Sequence, residues 1–556
     1  MSQALSAIAG SGRFRASARQ SGWGVVLLWL AASGSWSQLV SAQTSTQTTP
    51  APKEGVAARR SLSSRALAFE VAYPSNLGAQ PIAARVYVLL EPGNSRLEPR
   101  FGPDWFHPQP FFARDVKGWK PTQTVRIDSA ASGFPGPLDS LEPGEYAVQA
   151  VVRLNPDTHS IGTGEGNAYG PVVHARIEPK ATSTIRLEVD KLVPPRKFQE
   201  TERIKLAELE SPLLSAFYHR PIKHRAAVIL PEARPVGKLP TVYIIPGFGG
   251  DHHMAEMFVA SSRMNYAKDM MRVVLDPDCG TGHHVFADSA TNGPRGQALI
   301  EEFIPYLEKT FPLVADPRAR LLSGHSSGGW SSLWLQVTYP GFFGGTWSTS
   351  PDPVDFRDFQ RINIYAPGEN MFRDRQGKSR PIARMGILPI IFYDRFSKME
   401  EAMGPGGQLG SFEAVFSPVG RDGQPRKLWD RATGALDPEV AKAWEAYDIR
   451  LVLQRSWPTL GPKLGGKIHV ITGGMDTFYL EGAAQLLKDS LAQLKSDAVV
   501  EIIPGRDHGT VLDVELSRRL DREMKAAVAA FVDQNRRDDR LGGKQFSASP
   551  GQGRSL

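Results

Sequence analysis

The chain has a single cysteine, Cys279, in 556 residues. One thiol permits no intrachain disulfide and no thiolate metal cluster, and no cysteine follows the N-terminal apolar run to carry a lipid. Apolar runs long enough to span a bilayer, roughly 20 residues, are also missing. The run from Trp23 through Ala32 is the longest candidate and falls short. The adjacent pairs His252-His253 and His283-His284 stand without HExxH or facial-triad spacing, and neighbouring side chains rarely both reach one ion, so no metal is expected. Pro246-Gly247-Phe248-Gly249-Gly250 is not followed by Gly-Lys-Ser/Thr, which excludes a phosphate loop and leaves no cofactor implied. The formal charge of +7 is spread along the chain and partly carried by its ends, as Arg13, Arg15 and Arg19 and as Arg536, Arg537, Arg540, Lys544 and Arg554. Without a basic helix or an aromatic-interleaved basic stripe, nucleic acid is not an expected partner.

The hydrophobic fraction of 41% and the charged fraction of 22% are those of a soluble globular protein. The length exceeds what one core usually organises, which implies two folded units with unstructured ends. Residues 1–42 carry positive charge, then the apolar run, then Val40-Ser41-Ala42, the pattern of a cleaved signal peptide, so an exported protein, periplasmic or secreted, is expected with no membrane span after cleavage. Residues 43–64, rich in Thr, Gln, Ala and Pro, read as a flexible linker.

From 65 to 193 short alternating runs are punctuated by Gly, Pro, Asn and Asp: Leu67-Phe69-Val71, Ala84-Val86-Val88-Leu90, Thr124–Ile127, Tyr146-Val148-Ala150-Val152 and Thr184–Leu187. Such spacing predicts an antiparallel β-sandwich. From 194 to 535 the texture changes to apolar runs alternating with helical patterns, as a parallel sheet covered by helices requires. The expected strands are Thr241–Ile245, Arg272–Leu275, Arg320–Ser323, Gly345–Ser348, Ile468–Ile471 and Val499–Ile503, with helices over Gly296–Thr310, Glu481–Leu494 and Glu515–Gln534. The stretch from about 352 to 464 breaks this rhythm and reads as an insertion, either over the C-terminal strand ends, where such folds bind ligands, or peripheral. Residues 536–556 are polar and Gly/Ser-rich and are expected to be disordered.

Gly324-His325-Ser326-Ser327-Gly328 lies between a strand-like run and a helix-like one. A G-x-S-x-G turn there lifts the central serine out at a strand end, with glycines where side chains would clash. Ser326 is therefore the expected nucleophile, with Ser327 its nearest rival. A serine hydroxyl needs a base within hydrogen-bond reach and a carboxylate to hold that base's tautomer. His508, in Gly505-Arg506-Asp507-His508-Gly509 just after the last strand, is placed to be the base. Asp476, after strand Ile468–Ile471, is the expected acid; Asp507 adjoins the histidine and should point elsewhere, while Asp352 and Asp355 are the alternatives. The oxyanion needs backbone N–H donors, one from Ser327 and a second from Phe248 or Gly249 in the Gly-rich turn after Thr241–Ile245.

With these residues in place, the chain from about 240 to 531 resembles the putative-esterase family of α/β-hydrolases, which includes esterase D and enterochelin-esterase-like proteins. The resemblance is carried by Pro246–Gly250, Ser289-Ala290-Thr291-Asn292-Gly293-Pro294, Phe303-Ile304-Pro305-Tyr306-Leu307-Glu308, Gly324–Trp330 and Asp507-His508-Gly509. It implies an α/β-hydrolase fold, a mostly parallel sheet flanked by helices, preceded here by the smaller antiparallel sandwich. It also implies a triad of Ser326, Asp476 and His508 acting on a carboxylic ester, whether of a small molecule or linked to a glycan or peptide. Acyl transfer or peptide cleavage by the same machinery, or a catalytically silent carbohydrate- or surface-binding protein, are the competing readings.

Overall fold

The computed structural model describes residues 67–545, apart from 74–76, 79, 122 and 234–236. The expected signal peptide (1–42) and linker (43–64) lie outside the described residues. The N-terminal region is built from two sheets. Strands Ala68–Ala72, Thr124–Ile127 and Thr184–Glu188 form a three-stranded sheet, and Ile82–Pro92, Phe111–Trp119 and Gly144–Arg153 lead a seven-stranded one. The five expected strands are present. Phe111–Trp119, whose second half carries Asp115 and Lys117 on its exposed face, was not among them. The pairing departs from pure antiparallel order: Ala68–Ala72 runs parallel to Thr184–Glu188. Alternation along the strands sends Phe69, Val71, Val86, Val88, Phe112, Val148 and Val152 into one shared core.

The following region is an eight-stranded sheet. Its strands are β1 (Ile204–Glu210), β2 (Lys223–Ile229), β3 (Thr241–Ile245), β4 (Met271–Leu275), β5 (Arg320–His325), β6 (Gly345–Thr349), β7 (Ile468–Gly473) and β8 (Val499–Ile503), in the spatial order β1-β2-β4-β3-β5-β6-β7-β8. β3 to β8 run parallel to one another, while β2 is antiparallel to both β4 and β1, which makes an antiparallel edge. β1 and β2 were not expected, because charges at Lys205, Glu208, Glu210, Lys223 and Arg225 interrupt their apolar pattern. The central strands β3, β4 and β6 are buried along their whole length; β3 accordingly is largely apolar, whereas β4 and β6 also bury Arg272, Thr346 and Ser348.

Helices α1 (Ser327–Thr338), α2 (Tyr393–Met403), α3 (Gln408–Phe416), α4 (Ile449–Leu464), α5 (Glu481–Gln493) and α6 (Val514–Gln545) organise the rest. α6 continues past Gln534 through residues 536–545, which were expected to be without structure; 546–556 lie outside the described residues. α2 to α4 belong to the segment between β6 and β7. That segment shares a hydrophobic core with the sandwich: Tyr87, Leu89, Phe111, Phe134 and Val151 from the N-terminal sheets join Tyr393, Phe396, Met399 and Phe412. The junction is also polar. Tyr87 Oη donates to Met403 O at 2.7 Å and Arg85 Nη2 to Ala402 O at 2.8 Å. No helix among the described residues is long and apolar enough to cross a membrane.

Candidate active site

Ser326 stands between β5 and α1 at φ 59°, ψ −126°, a conformation rare for a residue with a side chain. Its surroundings explain the flanking glycines. A Cβ at Gly324 would lie 2.0 Å from Gly328 O, and one at Gly328 would lie 1.9 Å from Ile245 O on the neighbouring strand. The turn is tied down by Ser326 N, which donates to Thr349 O at 3.0 Å, and by Trp330 N and Asp352 N, which donate to Ser326 O at 3.0 and 3.2 Å. Ser327 opens α1, so its N–H has no acceptor within the helix. Its hydroxyl is buried and donates to Asp352 Oδ2 at 2.6 Å, which leaves Ser326 as the serine at the tip.

His508 and Asp476 meet across the ends of β8 and β7. His508 Nδ1 donates to Asp476 Oδ2 at 2.9 Å, and Phe478 N donates to Asp476 Oδ1 at 2.9 Å. Asp476 is fully buried. Burial alone would raise its carboxyl, but the charge and hydrogen bond of His508 and the Phe478 amide hold it below the usual range. Burial alone would likewise lower His508. The Asp476 carboxylate, by charge and hydrogen bond, then Asp352 and Asp507, reverse that and hold the imidazole above its ordinary value. With Nδ1–H committed to Asp476, Nε2 is the nitrogen left for chemistry. The ring is packed between His325, at 4.5 Å, and Phe478, edge-on at 4.9 Å. His325 itself is pushed down to about 3 by burial and by the neighbouring imidazole, so it is neutral.

The alternative carboxylates separate clearly. Asp355 is buried and bound by Arg450 and Arg357. Asp507 accepts from Gly509 N and Thr510 N within its own loop. Asp352 is part of the site without hydrogen-bonding the histidine. It accepts from Ser327 Oγ and, at 3.4 Å, from Gln408 Nε2, and burial pushes it up to about 6 although the Ser327 hydroxyl and the His508 charge pull it down.

The loop after β3 approaches the serine. A Cβ at Gly247 would lie 3.2 Å from Ser326 Cβ. Gly250 N donates to Gly247 O at 3.0 Å and Gly249 has φ 77°, a turn that needs glycine at its third position. His283, considered above only as a metal ligand, supports this loop. Its Nδ1 accepts from Val285 N at 3.1 Å, so the proton is on Nε2, which donates to Pro246 O at 2.8 Å. Burial pushes its pKa down to about 4 and keeps it in that neutral form. Asp251, His252 and His253 bring ligand-capable atoms within 4.8 Å of one another. Protein groups already engage two of them: Arg196 Nη1 donates to Asp251 at 3.2 Å, and His252 Nδ1 lies 3.0 Å from Asp276 Oδ2.

The segment from 352 to 464 lies over the strand ends. Arg384 Nε donates to Asp476 O at 2.9 Å, Arg384 N to Thr477 O at 2.8 Å, and Gln408 reaches Ser327 and Asp352. Sequence reading missed Arg384, Gln408 and the role of His283, because no local motif marks them. Trp330, Trp347, Phe356 and Trp429 are buried in the core, whereas Phe392 is half-buried.

Comparison with known structures returns serine hydrolases and esterases at low similarity. A fluorophosphonate-binding serine hydrolase of Staphylococcus aureus, FphF, is 15% identical over 58% of this chain and 98% of its own, with a TM-score of 0.36. An S-formylglutathione hydrolase from Agrobacterium tumefaciens is 13% identical over 59% of this chain and 94% of its own, with a TM-score of 0.35. A CE1 ferulic acid esterase from Anaeromyces mucronatus is 16% identical over 60% and 96%, with a TM-score of 0.30. Comparison with curated protein sequences finds no match. The family model described as putative esterase matches residues 221–508, more than half of the chain and the stretch that holds Ser326, Asp476, His508 and the loop after β3. The chain belongs to the putative-esterase family of α/β-hydrolases and is a carboxylic ester hydrolase.

Proposed function

We propose that this protein is an exported serine hydrolase that cleaves a carboxylic ester, of a small molecule or one linked to a glycan or peptide, through an acyl-enzyme on Ser326. The observation that carries the reading is the strained Ser326 turn beside a buried carboxylate–imidazole pair, Asp476 Oδ2 to His508 Nδ1 at 2.9 Å. His508 Nε2 takes the Ser326 proton as Oγ attacks the ester carbonyl. The oxyanion that forms is met by Ser327 N–H and by an N–H of Phe248 or Gly249. Collapse expels the alcohol with the proton from His508, and water repeats the sequence to release the acid. Export rests on the basic, apolar and small-residue order of residues 1–42.

Fluorophosphonate labelling of the purified protein, with peptide mapping, tests the nucleophile. Modification at Ser326 is expected; a folded protein that stays unlabelled, or is labelled elsewhere, overturns the assignment.

The base must be neutral to act. Because His508 is held above the ordinary histidine value of about 6.5, kcat/KM is expected to fall as pH drops through a value above 6.5. Asp352 contributes to that elevation by its negative charge. Asp352→Asn removes the charge, destabilises the imidazolium and shifts the acid limb of kcat/KM to lower pH. An unchanged or upward-shifted limb, measured on a short-chain aryl ester, contradicts this electrostatic account.

A further inference from the structure

Phe248 lies at the second position of the turn between Gly247 and Gly250, and its side chain is met from three parts of the chain. From the hydrolase region, Gly282 presses close enough that a Cβ there would lie 3.1 Å from Phe248 Cε2. The other two contacts come from the N-terminal sandwich. Trp105, in the connection between strands Ile82–Pro92 and Phe111–Trp119, has its ring centroid 5.5 Å from that of Phe248. His159, in the connection between Gly144–Arg153 and Ala168–Tyr169, lies at 5.3 Å.

Both sandwich side chains are themselves fixed. Trp105 packs edge-on against Phe396 of α2 at 5.2 Å. His159 Nδ1 pairs with the Asp278 carboxylate, in the two-stranded hairpin where Asp278 sits opposite His283. His283 in turn donates to Pro246 O, the residue before the turn. Arg153 spans the same junction, donating to Thr158 O at 2.8 Å and to Gly280 O at 2.6 Å. The turn that carries the proposed oxyanion donors is thus braced on its backbone by His283 and on its one large side chain by the sandwich.

We infer that the N-terminal sandwich completes the catalytic centre, with Trp105 and His159 acting as positioning residues that hold Phe248 and thereby aim the Phe248 and Gly249 amides at the oxyanion. The inference rests on the proposed acyl-enzyme mechanism. A donor acts only if it is already aimed at where charge develops, and loss of a single oxyanion donor costs roughly 10² to 10³ in kcat. Loosening the donor loop forfeits part of that factor. The interaction matters at the transition state and not in ground-state binding, so the loss falls on kcat.

The test uses the full chain and an acetyl aryl ester. Trp105→Ala is expected to lower kcat about 10- to 100-fold, with KM changed less than about 3-fold. It is expected to weaken a trifluoromethyl ketone, whose serine adduct carries the oxyanion, by the same factor as kcat. Trp105→Phe restores both to within about 3-fold. Leu97→Ala, at an exposed position of the same connection, leaves activity unchanged. Trp105→Leu keeps apolar bulk without the ring and is expected to give a partial kcat loss, so the test survives if the alanine variant folds poorly. The inference is overturned if folded Trp105→Ala or Trp105→Leu keeps wild-type kcat, or if the loss lies wholly in KM. Failure of the underlying mechanism is separate: the wild-type protein would then not be labelled by fluorophosphonate at Ser326.

Discussion

Ser326→Ala lowers kcat for ester hydrolysis by about 10⁴-fold or more and abolishes fluorophosphonate labelling. The size of the effect follows from how the site is assembled. In the proposed mechanism the hydroxyl oxygen is the attacking atom, and without it neither the imidazole nor its carboxylate has a proton to move, so removal of one member forfeits most of what the unit supplies. What remains is the contribution of the oxyanion donors and of substrate binding. The fold should tolerate the change: alanine removes one oxygen, and the strained backbone is held by Ser326 N to Thr349 O and by the Trp330 and Asp352 amides on Ser326 O, none of which involves the side chain. Ser327→Ala is the informative partner. It keeps the amide and loses only the hydroxyl that binds Asp352, so it retains labelling and a measurable fraction of turnover. A Ser326→Ala enzyme of near wild-type rate, checked with active-site titration against contaminating esterase, would refute the nucleophile.

Asp476→Asn lowers kcat by roughly 10³- to 10⁴-fold, because an amide in place of the carboxylate neither stabilises the imidazolium nor fixes the proton on Nδ1. Burial makes the loss severe: Asp476 is fully buried, so no water replaces the missing charge. The acid limb of the residual activity moves to lower pH, since the largest influence raising His508 is gone. Asp352→Asn, by contrast, leaves the 2.9 Å contact between Asp476 and His508 intact and affects the limb far more than the maximum. The two substitutions together distinguish the carboxylate that hydrogen-bonds the base from the one that only shares its field. Equal losses in both would mean that Asp352 takes over as the acid partner during turnover.

Much of this site is written in short stretches of chain. The Gly324–Gly328 turn is legible because its constraint is local: a Cβ at either glycine meets backbone within about 2 Å, so only one residue pattern builds it. The strand β3 was legible for a local reason too, as a largely apolar run bounded by breaks. β1 and β2 were not, because an edge exposed on one side tolerates charge and carries no comparable signature. Asp476 could be ranked first by its place after β7, but Asp352 and Asp355 stayed open. Only their surroundings separated them, a guanidinium pair for Asp355 and a serine hydroxyl for Asp352.

Local sequence encodes the tight turn around Ser326 and the alternation of strand-like and helical runs that makes a parallel sheet, since each depends on sterics or periodicity within a few residues. Tertiary structure decided the rest. It placed the segment after Asp352 over the strand ends through Arg384 and Gln408. It set the direction of the His508 shift chiefly through Asp476, with Asp352, both distant in sequence. It also brought Trp105 and His159 of the sandwich against Phe248. Those contacts join residues tens to hundreds of positions apart, and their strength depends on burial and distance, which no local pattern encodes.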